Sequence, residues 1–224
     1  MAVQLENYIR IKEKAATHKA TLVAVSKTKP LADLQLLYDQ GQIDFGENYV
    51  QELNEKESLF SKNAHWHFIG HLQSNKVKNI ASFVHLIHGI DSYKLLTEVN
   101  KQAQKSGRVI NCLLQVHIAS EETKFGFDES EVEELMNNPE LTALEHIQIC
   151  GLMGMASFTE DKNQIKKEFS GLKKIFDNSR IMSLDPLAFN ILSMGMTSDY
   201  EIALDCGSTM IRIGSALFGE RTTK

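Results

Sequence analysis

The chain has 224 residues, 42% of them hydrophobic, enough for one large core, since barrels run past the ~150 residues usual for a single unit. Its 24 basic and 29 acidic residues give a formal net charge of −5 and are interleaved rather than blocked, which excludes the basic face that nucleic acid or an anionic membrane requires. Cys112, Cys150 and Cys206 are odd in number and form no C-x-x-C pair, so they read as small reduced side chains. No run reaches the ~7–15 apolar residues of a signal peptide at the N-terminus, or the ~20 of a membrane span elsewhere, and a cytoplasmic location is expected.

Leu5, Tyr8, Ile9 and Ala16 fall on one side of a helical wheel and predict a helix over residues 2–17. The run TLVAVS over 21–26 predicts a strand. Pro30 at a first helical position, then Leu31, Leu34, Leu37 and Tyr38 with Gly41 behind them, predicts a helix with both start and stop signals. Strand-like runs recur at 43–46, 65–69, 85–90, 110–118, 147–155, 190–194 and 210–213, making eight. The clearest helices between them are 92–106, entered by Asp91 and left at Gly107, and 161–178, with Ile165, Phe169, Leu172, Ile175 and Phe176 on one face. Strand then helix, repeated eight times, predicts an α/β fold: a single (β/α)8 TIM barrel with an extra N-terminal helix, one domain over residues 1–224. An open doubly wound sheet is the alternative.

Functional groups of a barrel gather where strands run out into the following loops. Lys27 directly follows the first strand and shares side-chain parity with Val23 and Val25. It admits two readings: a lysine that reaches solvent or pairs with Asp44 or Glu47, and a partly buried amine of lowered pKa that attacks an aldehyde. Residues 193–198 (SMGMTS), with Gly195, and 212–215 (RIGS), with Gly214 and Ser215, end the seventh and eighth strands, where barrels hold phosphate on glycine backbone, hydroxyls and helix-opening amides. Both are also ordinary turn sequences. Ser198-x-x-Glu201 has capping-box spacing. Arg212, between two isoleucines, points into the barrel and needs an acceptor, either a carboxylate such as Glu47 or a ligand atom. Gly46-Glu47-Asn48 ends the second strand. His65 and His67 share a strand face, with His71, His85 and His88 nearby; a metal is disfavoured because no acidic ligand stands in pattern at a late strand end.

Taken together, the segments AVSKTKP (24–30), FGEN (45–48), HFIGHLQSNK (67–76), GLM (151–153), SMGMTSD (193–199) and RIG (212–214) resemble the pyridoxal phosphate homeostasis protein family, single-domain relatives of the alanine racemase barrel. The resemblance covers nearly the whole chain in order. It implies that Lys27 holds pyridoxal 5'-phosphate as a Schiff base, that Ser193, Gly214 and Ser215 surround the phosphate, that Arg212 faces the pyridine nitrogen, and that Asn48 lies near the ring. An arginine there keeps the ring nitrogen unprotonated and weakens the electron sink that turnover needs. The racemase relatives add a β-rich domain carrying a tyrosine base; Tyr49 is the nearest substitute by sequence. The expected role is therefore non-catalytic vitamin B6 homeostasis by a monomer that supplies pyridoxal phosphate-dependent apoenzymes, with a racemase or lyase as the alternative.

Overall fold

The computed structural model describes residues 3–120 and 125–219. Strands β1 (Thr21–Val25), β2 (Asp44–Glu47), β3 (His65–Phe68), β4 (Leu86–Ile90), β5 (Ile110–Val116), β6 (Ile147–Gly154), β7 (Ile191–Ser193) and β8 (Met210–Ile213) pair in chain order. All neighbours are parallel, and β8 closes on β1. The (β/α)8 barrel read from the sequence is the fold observed. Parallel strands covered by helices are buried on both faces, and the apolar stretches 112–114 of β5 and 149–153 of β6 reflect that.

Helix α1 (Leu5–Thr17) precedes the barrel and packs on β1 with Tyr8, Ile11 and Ala15 buried. Residue 2, where the sequence begins that helix, lies outside the described residues. Outside the wall follow α2 (Leu31–Tyr38), α3 (Val50–Leu59), α4 (Tyr93–Lys105), α5 (Glu129–Met136), α6 (Lys162–Met182), α7 (Tyr200–Asp205) and α8 (Ser215–Phe218); a 3-10 turn at Ser74–Asn79 makes the β3–β4 crossing. No described helix is long and apolar enough to cross a membrane.

Two apolar layers result. The larger, between wall and helices, holds Leu22, Ala24, Phe45, Trp66, Leu114, Leu152, Ile211 and Ile213. The smaller, inside the wall, holds Val23, Leu86, Leu113, Cys150, Met153 and Met210. Val23 is level with Arg212, and His67 with Leu86, so arginine and histidine share the interior with that small group.

Local details differ from the sequence reading at helix ends. Pro30 is extended and flanks α2 instead of opening it. Ser92, not Asp91, caps α4, its Oγ accepting from the Leu95 amide at 3.3 Å. Helix α6 continues four residues past 178, to Met182. The Ser198/Glu201 capping box does not form: α7 starts only at Tyr200, and Asp199 folds back so that Oδ1 accepts from the Met196 amide at 2.6 Å. Gly195, at φ +99°, makes that tight return possible.

Candidate functional site

The barrel register gathers the expected residues at the C-terminal end of the strands. Val25 is level with Gly46, and two residues beyond each stand Lys27 and Asn48. Ala24 is level with Ile213, which puts Gly214 beside Val25; a Cβ on Gly214 would lie 3.4 Å from the Val25 Cβ. The Ser215 hydroxyl donates to Thr197 Oγ1 at 3.3 Å and ties the loop after β8 to the loop after β7. Lys27 is half-buried, as is Asn48, whose Oδ1 has no hydrogen-bond partner among the described residues. Asn48 also lines, with Tyr49, Asn54, His71 and Lys76, a cavity of about 490 Å³. Tyr49 itself is 58% exposed and flanks α3.

Gly195 has a packing reason as well as a turn: a Cβ there would come within 2.7 Å of the Ala203 Cβ on α7. Glycine lets α7 lie against the loop, and nothing in that contact requires a phosphate.

Arg212 is 4% exposed and faces the interior. Its Nη1 donates to the Ser193 carbonyl at 2.8 Å and to Ser193 Oγ at 2.6 Å, its Nη2 to the Gly154 carbonyl at 3.1 Å. Burial brings its pKa down to about 10, with Asp199 acting the other way, so it stays cationic at neutral pH. Glu47, the carboxylate considered for it, is engaged elsewhere. The fork leaves Nε and one Nη2 hydrogen without a partner among the described residues. Ser193, expected at the phosphate, has its fully buried hydroxyl hydrogen-bonded to Arg212 and to His88 Nδ1, 3.0 Å away. The interior parity of β7 turns it inward.

From Ser193 a hydrogen-bonded chain runs down the barrel. His88 Nε2 lies 3.0 Å from His67 Nδ1, and His67 Nε2 lies 3.0 Å from Asp44 Oδ1. His65 Nδ1 reaches the same oxygen at 3.1 Å, and its ring stacks on His85 at 4.1 Å. Burial, reinforced by His67, keeps His88 neutral. Burial works against the Asp44 carboxylate, but the hydrogen bonds and charge of His67 and His65 hold it below its ordinary range. Arginine can only donate and an ionised carboxylate only accept. The chain thus runs between Arg212, which only donates, and the Asp44 carboxylate, which only accepts, through Ser193, His88 and His67.

A second network braces Lys27 from outside the wall. Lys56 of α3, only 6% exposed, donates to the Ser26 carbonyl, to Glu47 Oε1 and to Glu52 Oε1, each at 2.7 Å. Ser26 Oγ donates to Glu47 Oε1 at 2.6 Å, and Glu52 Oε1 accepts from the Thr28 amide at 2.5 Å. Thr28 sits at φ +62°, a costly conformation for a β-branched residue, held by these bonds on the residue's own neighbours. The two carboxylates offered as partners for Lys27 are thus taken: Asp44 lies at the far end of β2 with histidines, and Glu47 with Lys56.

Sequence reasoning missed Lys56 and Glu52, the pairing of Asp44 with histidines, and the linking role of His88. Glu52 and Lys56 are four apart on α3, the spacing of a helical ion pair. Asp44 and His65 open adjacent strands and are level with each other, so the acidic partner absent from the late strands stands at an early one.

A larger concavity, about 730 Å³, is bordered by Glu131, Glu134 and Glu140 and suits no phosphate. The class of protein is set by the barrel and by a lysine at its first strand exit: residues 4–222 match the alanine racemase, N-terminal domain family. Within that class, the chain is 38% identical over 203 residues to the pyridoxal phosphate homeostasis protein of Pasteurella multocida (89% of this chain, 86% of that one) and 40% identical over 210 residues to that of Haemophilus influenzae (89% and 84%). The chain belongs to the pyridoxal phosphate homeostasis protein family. Among solved structures, PipY of Synechococcus elongatus without PLP superposes with a TM-score of 0.88 at 31% identity, covering 96% of this chain and 99% of PipY. PipY with PLP bound gives 0.80 at 33% identity, covering 90% and 93%. The alanine racemase of Clostridium difficile shares the fold alone, at 16% identity and a TM-score of 0.74 over 58% of its chain.

Proposed function

We propose that the chain binds pyridoxal 5'-phosphate covalently through Lys27 and serves intracellular vitamin B6 homeostasis without appreciable turnover. The observation that carries this reading is the convergence of Lys27, Asn48, Arg212, Gly214 and Ser215 on one barrel end in a chain one-third identical to PipY, which has PLP bound in its structure. When bound, the cofactor supplies an aldehyde to a lysine amine and a ring that can take up electron density.

Each residue has a distinct task. Lys27 would hold the cofactor by its amine at the aldehyde carbon, and its turn is pinned by Glu52 and Lys56. Gly214 brings the loop backbone close, and the Ser215 hydroxyl turns from Thr197 to a phosphate oxygen. Asn48 offers a buried amide oxygen that the described protein leaves unsatisfied, suited to a donor on the ring. Arg212 presents its remaining N–H groups to the ring nitrogen, which must stay an acceptor, and Ser193 holds Arg212 in place. An unprotonated ring nitrogen weakens electron withdrawal, which disfavours racemase chemistry.

A racemase or lyase is the second reading, favoured by the shared barrel. Cofactor-loaded protein incubated with L- or D-alanine and followed by chiral analysis separates the two: the binding role requires no sustained interconversion, and steady turnover abolished by Lys27→Ala would overturn it. We further place the protein in the cytoplasm, as a single-domain monomer whose eight strands close a barrel without a second chain. Transfer of the bound cofactor to a pyridoxal phosphate-dependent apoenzyme is the corresponding partner interaction, tested by reactivation of such an apoenzyme.

A further inference from the structure

The groups at the opposite, N-terminal end of the barrel have no part in holding a cofactor at Lys27. There Asp44 opens β2, His67 sits inside β3 and His85 immediately precedes β4; each offers one ligand atom, and all three atoms lie within 4.8 Å of one another. Two imidazoles and a carboxylate are a donor set for divalent first-row transition cations. Bond lengths of about 2.0–2.1 Å place tetrahedral ligand atoms about 3.4 Å apart, so the widest pair, within 4.8 Å, closes by at most about 1.4 Å. His67 is fully buried, while Asp44 and His85 are half-buried.

The surrounding groups are those a metal site requires. A ligating histidine is oriented by a bond from its second nitrogen, and His67 Nδ1 has His88 Nε2 at 3.0 Å. His65 contacts the Asp44 carboxylate at 3.1 Å and stacks on His85 with an interplanar angle of 6°, steering both remaining ligands. We infer that Asp44, His67 and His85 form a binding site for a divalent transition-metal cation such as Zn²⁺ at the base of the barrel, remote from Lys27.

Occupancy has a consequence inside the barrel. Metal on His67 Nε2 displaces the hydrogen shared with Asp44, and neutral His67 must then carry its hydrogen on Nδ1 and donate to His88. His88 in turn donates to Ser193 Oγ. His67, His88 and Ser193 are hydrogen-bonded in sequence, so metal at the base is felt by the serine that holds Arg212.

The test is titration of metal-free protein with ZnCl₂ by calorimetry and with CoCl₂ by visible absorption, beside Asp44→Asn, His85→Gln and Lys27→Ala. One cation per chain is expected, with affinity at least tenfold weaker in Asp44→Asn and His85→Gln and unchanged in Lys27→Ala. The last arm keeps the result separate from the cofactor assignment. His85 is half-buried, so His85→Gln remains informative if Asp44→Asn does not fold. Long-range nitrogen–proton spectra of histidine-labelled protein should show His67 as the Nδ1–H form once Zn²⁺ is bound. Absence of saturable uptake, or uptake of equal affinity in both ligand variants, overturns the site.

Discussion

At the scale of single residues, burial decides which side chains react. Cys112 is fully buried and its thiol is pushed far above the ordinary range, while burial pushes Cys150 up to about 11. Cys206 is only half-buried, at the end of α7. Thiolates, not thiols, are the nucleophiles. Titration of native protein at pH 8 with a thiol-specific disulfide reagent should therefore modify one cysteine, Cys206, and three after unfolding in guanidinium; three rapid equivalents in the native state would contradict the burial. Lys27 was legible in the sequence because an apolar strand ending in lysine is anomalous on its own. Arg212 was legible for the same reason, between two isoleucines. Its partners were not, because the Ser193 and Gly154 carbonyls that take its hydrogens belong to β7 and β6, and only closure of the barrel brings them near.

At the scale of elements, the contact of β1, β2 and α3 sets the geometry of the Lys27 turn. Lys56 is the single cation within the Ser26–Glu47–Glu52 network, so Lys56→Met leaves a buried carboxylate uncompensated. The expected cost is about 3–5 kcal/mol by urea unfolding. The double variant Glu47→Leu/Lys56→Met should recover most of it, since an apolar pair of similar volume replaces the ions. If Lys56→Met is as stable as the parent, the network is not holding the turn. Glu47 adds a pH signature. Burial raises its pKa above 4.5 against the pull of Lys56. A carboxyl with a raised folded pKa gives stability that is full below the unfolded value and lost as pH rises through the folded one. The stability of the parent relative to Glu47→Gln should thus fall as pH rises from about 4.5 through the raised folded value, measured by urea midpoints across a pH series; a difference that grows with pH would contradict the sign. The sequence offered Glu47 to Lys27 or Arg212 and missed Lys56, because the i, i+4 pair on α3 points at it from a different element.

At the scale of the whole molecule, the order of strands was readable since each β/α unit announces itself by a change of period, and eight parallel units of this length have few arrangements. Helix ends were less legible: Asp199 and Ser198 both offer capping side chains, and the return at Gly195 decides which way Asp199 turns. The histidine chain was least legible. His67, His88 and Ser193 come from β3, β4 and β7 and meet only across the barrel axis, so their spacing along the chain carries no trace of the contact. The same closure separates two ends with different chemistry: a lysine and phosphate-suited loops at one, and histidines with Asp44 at the other.

The central claim is tested most directly by loading the purified protein with pyridoxal 5'-phosphate, reducing with borohydride and mapping the modified peptide by mass spectrometry, beside Lys27→Ala. The absorbance spectrum of the loaded protein would be read alongside. The expected result is one reduced cofactor per chain on Lys27 and none fixed in the variant. Cofactor fixed at another lysine, or equal labelling in Lys27→Ala, would contradict the assignment.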